Sequence, residues 1–469
     1  MKASAWVVVG QSSISVIRLG SNLILTRLLD EEAFGLMALV NVFLVGLELL
    51  SDLGLGPAVV RHHDQEDERF INTAWSMSVI RGALLCSICW IGAYPFSLFY
   101  GEPVLGPLTM VVGVSVFISG FASTRFFETQ RRLQMKEISI LQICRLLVQV
   151  GTMVTLAWIY RSVWALALGS LAGSLTWVAM THFWLHGIRN RFRWEKSAVK
   201  SLFGYGRWIF GSTMVNFFSS HSDRLIFGKL IPVNMLGVYH IGATVADIPT
   251  SSLTTLASRV LFPLTSQVKD EDDHLKRMFA RSSLLFTTVA GWILCGFAAG
   301  GQTIIDLLFD DRYTEAGWML QFLCVAGWIS VLQLSVRPLL LARGDVQYLL
   351  YGNLAKLFAM LALIPLGYMQ FGFPGAVAGL AGSRIGNYLV LAFALRKTGF
   401  GNSLGDLFMS LYFAAGVLAG NVAARYVDGL GAHIIVEAVV VFVVVTLFWT
   451  PRAARVAREF GGVKALLSR

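Results

Sequence analysis

Ten charged side chains interrupt apolar runs of this sequence: Arg18, Arg81, Arg145, Asp223, Arg224, Asp247, Arg259, Arg337, Lys356 and Arg384. The runs are each close to the ~20 residues an α-helix needs to cross a ~30 Å hydrocarbon core. One charge at mid-bilayer costs ~2.5–3.5 kcal/mol on the insertion scale, so the set facing lipid would cost tens of kcal/mol. These groups must face a hydrated cavity, pair with one another, or reach an edge of the membrane. Cations outnumber carboxylates among them by about four to one, so pairing alone leaves positive charge over. An internal cavity of positive potential follows, and it suits an anionic substrate.

Arg18, Arg145, Lys356, Arg224, Arg337 and Arg384 are the candidate substrate-binding cations. Asp52, Asp247 and Asp223 are the carboxylates best placed to couple H+ or Na+ movement. Each has a plainer alternative. Arg81 and Arg259 lie near span ends and can snorkel, Arg207 sits at the interface, and Asp223 with Arg224 can form a local ion pair. Asp52 can pair with a neighbouring arginine.

Bond-making chemistry has no such support. The sequence contains no HExxH, P-loop or GxSxG, and its external loops are only a few residues long, the largest around Asp310 to Glu315. Cys86 and Cys89 form a CxxC inside an apolar run with no second pair and no adjacent His, so packing is the expected role. Cys144, Cys295 and Cys324 read the same way. His62 and His63 adjoin an acidic loop and read as solvated. The expectation is a non-enzyme with no metal and no cofactor. It carries no ATP-binding domain, so transport would be driven by an ion gradient or the substrate's own gradient.

The elements that hold these charges are membrane helices. Apolar residues make up 55% of the chain and charged residues 14%, with mean hydropathy +0.65, which marks a polytopic membrane protein. Fourteen spans are expected, centred near Val16, Val45, Leu85, Val114, Val150, Leu171, Val215, Thr250, Val289, Trp328, Met360, Gly382, Ala415 and Val441. The first is too long for a cleaved signal peptide, carries Arg18 and lacks a small-residue cleavage site. Lys2, Arg61, Arg131, Arg132, Lys136, Arg189, Arg191, Arg193, Lys276, Arg396, Lys397, Arg452 and Arg455 fall on one face, and few cations fall on the other. By the positive-inside rule both termini are cytoplasmic. The same bias accounts for most of the +10 net charge, through attraction to anionic membrane lipids rather than nucleic acid.

The chain also repeats itself. Residues 21–37, SNLILTRLLDEEAFGLM, align with residues 223–239, DRLIFGKLIPVNMLGVY, when Ile24 is set on Ile226, an offset of 202 (226 less 24). Arg27 then meets Lys229, Gly35 meets Gly237 and Trp6 meets Trp208. A second offset of 211 (343 less 132) sets Arg132 on Arg343 and Arg145 on Lys356, which implies a short insertion between the two blocks. The expected divisions are an N-terminal six-helix lobe, 1–188, a cytoplasmic interfacial linker, 189–206, and a C-terminal six-helix lobe, 207–398. A two-helix hairpin, 399–451, and an amphipathic cytoplasmic tail, 452–469, follow. Two lobes of like orientation suit alternating access around a site between repeats.

The segments ILTRLLDEEAFGLMAL, LLSDLGLGPAVVR and SDRLIFGKLIPVNMLGVYHIGA resemble the Wzx-type polysaccharide transporters. These are oligosaccharide flippases of the multidrug/oligosaccharidyl-lipid/polysaccharide superfamily. The resemblance covers most of the chain and implies an all-α fold of two six-helix lobes in a V, plus a C-terminal hairpin. It further implies inner-membrane translocation of an undecaprenyl-diphosphate-linked oligosaccharide for exopolysaccharide, capsule or lipopolysaccharide O-antigen. The polysaccharide polymerase and chain-length machinery would be partners. Arg18 matches the family's habit of placing cavity arginines in the first helix. A lipid II flippase and a drug antiporter of the same fold are the alternatives.

Overall fold

The computed structural model describes residues 2–51, 59, 68–267, 272–334, 336–401, 403–431 and 433–467, and no strand occurs among them. The chain forms two compact units, Met1–Gly237 and Val238–Arg469. The first holds α1 (Lys2–Leu28), α2 (Glu31–Leu50), α3 (Glu68–Tyr100), α4 (Leu105–Gly120), α5 (Arg125–Arg131), α6 (Met135–Tyr160), α7 (Trp164–Phe183) and α8 (Lys196–Leu230). The unit boundary falls inside α9 (Val233–Gln267). The second unit continues with α10 (Asp272–Ala299), α11 (Gly301–Leu308), α12 (Ala316–Val331), α13 (Val336–Arg343), α14 (Val346–Lys397), α15 (Ser403–Gly429) and α16 (Ile434–Leu467).

Every expected span centre lies on a helix. Among the described residues nine helices are long and apolar enough to cross a membrane, or ten if α4 and α5, bent by 62° at their break, make one span. The spans near Met360 and Gly382 share α14, which folds back on itself at Gly372 (φ 64°, ψ −151°). That backbone region is open essentially to glycine alone. The two arms then touch through small residues: a Cβ on Gly379 would lie 2.3 Å from the Leu363 carbonyl oxygen, and one on Gly386 3.2 Å from that of Ala355.

Helix boundaries reproduce both repeat offsets. At 202, the ends of α1 and α8 coincide (Leu28, Leu230), as do the starts of α2 and α9 (Glu31, Val233). At 211, α4 coincides with α12, the starts of α5 and α13 coincide (Arg125, Val336), and so do those of α6 and α14 (Met135, Val346). Even the left-handed residues match: Leu133 (φ 56°) with Gly344 (φ 84°), and Arg161 (φ 44°) with Gly372. The change of offset falls where the second half carries the extra helix α11.

The repeated glycines have a physical reason. Within the first unit, a Cβ on Gly35 would lie 2.0 Å from the Val233 carbonyl oxygen, and one on Gly237 1.9 Å from that of Glu31. Glu31 and Val233 are themselves a repeat pair, so the contact is reciprocal. Lipid gives helices no hydrophobic reason to associate, and close backbone approach through small residues supplies it instead. The repeated cations Arg27 and Lys229 each occupy the last turn of a helix, α1 and α8, where positive charge suits the dipole. Lys229 Nζ also donates to Phe99 O at 2.6 Å, satisfying one of the free carbonyls that end α3.

The stretch before α8 is extended and strapped across α3. Arg191 N donates to Asn72 Oδ1 (2.9 Å), Arg193 N to Ser76 Oγ (2.9 Å), and Phe192 packs on Trp75 with ring centres 4.8 Å apart. Arg125 of α5 anchors its start by donating to His182 O, Leu185 O and Ile188 O, closing the C-terminal end of α7.

Candidate functional site

The sequence-derived cations separate into groups by unit. In the first, Arg18 is exposed on α1 and Arg145 is half-buried on α6. Arg145 lies in the electrostatic fields of both Arg18 and a carboxylate that sequence reading passed over, Glu48 of α2. Glu48 in turn lies in the fields of Arg81 and Arg145. Helix α7 fixes the Arg145 guanidinium by placing Trp177 beneath it, 5.3 Å from the indole ring centre, a cation–π contact that leaves its N–H edges available. Arg81 caps the C-terminal end of α2, with Nη2 donating to Glu48 O (2.6 Å) and Nε to Ser51 Oγ (2.9 Å). The result is a constellation of three arginines and one carboxylate from four helices.

Arg224 and Asp223 also belong to the first unit, on α8. Asp223 is buried, and Arg224 Nη1 approaches His221 Nδ1 at 3.4 Å. Asp52 lies outside the described residues.

The second unit holds a half-open cavity of about 460 Å³ among α9, α12, α13 and both arms of α14. Arg337 lines it together with Thr254, Ser330, Gln333, Asn353 and Asn387. Arg384 stands beside it, donating through Nη1 to Ser330 Oγ (2.9 Å) and Ala326 O (3.3 Å). Asn387 Nδ2 donates to Asn353 Oδ1 at 3.3 Å, joining the two arms of α14 across the fold at Gly372. The buried Nε of Arg384 and Oδ1 of Asn387 have no hydrogen-bond partner among the described residues. Buried polar groups are normally satisfied, so both atoms call for water or a polar ligand. Lys356, half-buried on the first arm of α14, is outside the residues that line this cavity. Asp247 is exposed on α9 and acts, with Arg384, on the surroundings of Cys324.

The structure thus brings Arg18 and Arg145 together and Arg337 and Arg384 together, with Lys356 elsewhere on α14 and Asp223 and Arg224 on α8. Glu48 was missed because LELLSD reads as the end of an apolar run; a carboxylate on the same span as many apolar neighbours was the available signal. Gln333, Asn353 and Asn387 were missed because uncharged amides give no charge signal. Cys89 packs against Gly113, whose added Cβ would lie 2.7 Å from the Cys89 Cβ. No group of three or more His, Cys, Asp or Glu able to hold a metal occurs among the described residues.

A repeated all-helical architecture with nine or more apolar helices and cation-bearing polar clusters within them defines a multi-pass membrane protein. Residues 24–317 match the family described as Polysaccharide biosynthesis protein, and the chain belongs to that family. It is 20% identical over 431 residues to the Lipopolysaccharide biosynthesis protein WzxC of Escherichia coli (strain K12), covering 92% of this chain and 87% of that protein. It is also 20% identical over 363 residues to the Succinoglycan biosynthesis transport protein ExoT of Rhizobium meliloti (strain 1021), covering 77% of this chain and 73% of that one. The fold superimposes on the Lipid II flippase MurJ in its inward closed conformation with a TM-score of 0.77, at 10% identity, covering 97% of this chain and 99% of MurJ. At that identity the likeness establishes the fold alone.

Proposed function

We propose that this protein is a flippase, not an enzyme, that moves undecaprenyl-diphosphate-linked oligosaccharide units across the bacterial inner membrane for surface polysaccharide synthesis. Fourteen spans with both termini in the cytoplasm, and alternating access of two six-helix lobes, belong to this reading. The observation that carries it is the second-unit cavity, where Arg337 and three side-chain amides line the wall and Arg384 reaches one lining residue, Ser330, from beside it. A diphosphate carries at least two negative charges, and a sugar unit many hydroxyls that hydrocarbon cannot solvate. Guanidinium groups pair with phosphate oxygens in a planar, often bidentate geometry, and amides exchange hydrogen bonds with hydroxyls. Arg337, Arg384, Asn353 and Asn387 supply that mixture in one unit, and Arg18 and Arg145 supply phosphate-binding charge in the other. Lys356 and Arg224 add intramembrane positive charge.

Coupling to H+ or Na+ falls to carboxylates near those cations. Glu48 is the counter-charge of the first-unit arginines and joins Asp52, Asp223 and Asp247 as a candidate. When the substrate's phosphate engages Arg145, Glu48 loses one of its two counter-charges, keeps Arg81, and takes up a cation in its place. The polymerase and chain-length machinery that would use the product are partners in this scheme.

The deciding experiment is export of surface polysaccharide by alanine variants of Arg18, Arg145, Arg337 and Arg384 at matched membrane expression. Full export by all four would remove these clusters from the mechanism. The MurJ-like fold keeps one other reading in play, a lipid II flippase; that reading requires lipid II, and not a polysaccharide precursor, to accumulate when the protein is lost.

A further inference from the structure

A second and larger cleft, of about 600 Å³, lies wholly in the second unit and shares no lining residue with the cavity of Arg337. It opens where the start of α10, the end of α14, the start of α15 and the later part of α16 come together. These are the helix ends that carry Lys276, Arg396, Lys397 and Arg452, on the face that the positive-inside bias assigns to the cytoplasm. Its floor is apolar: Phe279 and Phe400 meet with ring centres 5.8 Å apart inside a buried cluster with Val336 and Leu395. Its rim is cationic, with Lys276 on α10 and Arg452 and Arg455 on α16.

The lining holds one carboxylate, Asp406, and it already accepts a hydrogen bond from Tyr388 Oη at 2.9 Å. Glu459, outside the lining, pairs with Arg455 at 3.4 Å in an exposed contact of small energetic weight. Arg452 is held in place by aromatic faces, 4.9 Å from the Phe408 ring centre and 5.2 Å from that of Tyr412. Among the described side chains of the lining, cations therefore outnumber carboxylates three to one. On α15 beside that mouth, Leu404, Leu407, Phe408 and Leu411 are 83%, 57%, 57% and 63% exposed, which makes this flank a lipid-facing surface. An apolar cleft rimmed by cations, opening sideways into lipid at the depth of the headgroups, has the chemistry of a phospholipid site.

We propose that this cleft binds an anionic phospholipid, with its phosphate between Lys276 and the Arg452–Arg455 turn and an acyl chain against Phe279, Phe400 and Phe408. The bound lipid joins the terminal hairpin, α15 and α16, to α10 and α14. Surrounding bilayer lipid reaches the cleft by lateral diffusion, and its single negative charge matches the excess cation charge at the rim. This assignment does not depend on what the protein transports.

The experiment is titration of the purified full-length protein in neutral detergent with phosphatidylglycerol or phosphatidylcholine, read by native mass spectrometry as bound lipid. Phosphatidylglycerol is expected to be retained at concentrations where phosphatidylcholine is not. Lys276→Gln combined with Arg455→Gln, both exposed side chains, should weaken phosphatidylglycerol retention by about tenfold or more, since each interfacial cation contributes measurably to anionic lipid binding. Ser283→Phe, which fills the cleft and leaves the charges alone, should abolish it. Equal retention of the two lipids, or wild-type retention by both variants, overturns the proposal. Displacement of phosphatidylglycerol by a stoichiometric amount of undecaprenyl diphosphate also overturns it, because the cleft would then belong to the substrate's route.

Discussion

At the scale of single residues, the proposed transport rests on guanidinium groups held by neutral partners. Arg384 gives Nη1 to Ser330 Oγ and Ala326 O, and its Nε has no partner among the described residues. A hydrogen bond to a charged group contributes ~1.5–3 kcal/mol, so losing one at the substrate costs on the order of tenfold to a hundredfold in rate. Arg384→Ala and Arg337→Ala are each expected to lower polysaccharide export by about tenfold or more at matched expression, measured as surface polymer per cell. Asn387→Leu should produce a similar loss without changing any charge, which separates sugar contacts from simple electrostatics. Glu48→Gln keeps the size of the side chain and removes the counter-charge of Arg145. Its export should fall and should no longer respond to collapse of the proton gradient; an unchanged response would assign coupling elsewhere. Charge inside apolar runs was legible from sequence, and it named Arg18, Arg145, Lys356, Arg224, Arg337 and Arg384 as candidates, of which the fold places Lys356 and Arg224 apart from the others. The amides and Glu48 were not, because only the fold shows that the amides share a cavity and that Glu48 lies in the field of Arg145.

At the scale of helices, small residues decide which elements touch. The Gly35 and Gly237 contact leaves no room for a methyl group on either helix, since the would-be Cβ atoms fall 2.0 Å and 1.9 Å from carbonyl oxygens. Gly35→Ala and Gly237→Ala must push α2 and α9 apart, and overpacking of this kind costs about 1–3 kcal/mol. Both variants should unfold at lower temperature in detergent, while Gly20→Ala, with nothing near its Cβ, should not. Gly372→Ala should also lower stability by about 1–3 kcal/mol, through its backbone conformation and not through crowding. The repeat offsets were legible because the cations at helix ends and the contact glycines are fixed by geometry. The extra helix α11, the extended strap before α8 and the packing of α8 with α2 and α3 were not, since hydropathy reports whether a segment is apolar and says nothing of what it packs against.

At the scale of the whole chain, repeated halves and surplus intramembrane cations fit the movement of an anionic amphiphile better than that of a cationic drug. Membership of the polysaccharide biosynthesis family points to a polysaccharide precursor as that amphiphile. In the proposed orientation the precursor would be picked up on the cytoplasmic side. The most direct measurement is extraction of lipid-linked oligosaccharides from a deletion strain, with their membrane side assigned by accessibility to an added glycosidase. The expected result is a diphosphate-linked oligosaccharide accumulating on the cytoplasmic face together with loss of surface polysaccharide, both reversed by the intact gene but not by the Arg384→Ala variant. Normal surface polysaccharide with accumulation of lipid II, or with no lipid-linked sugar at all, would contradict it.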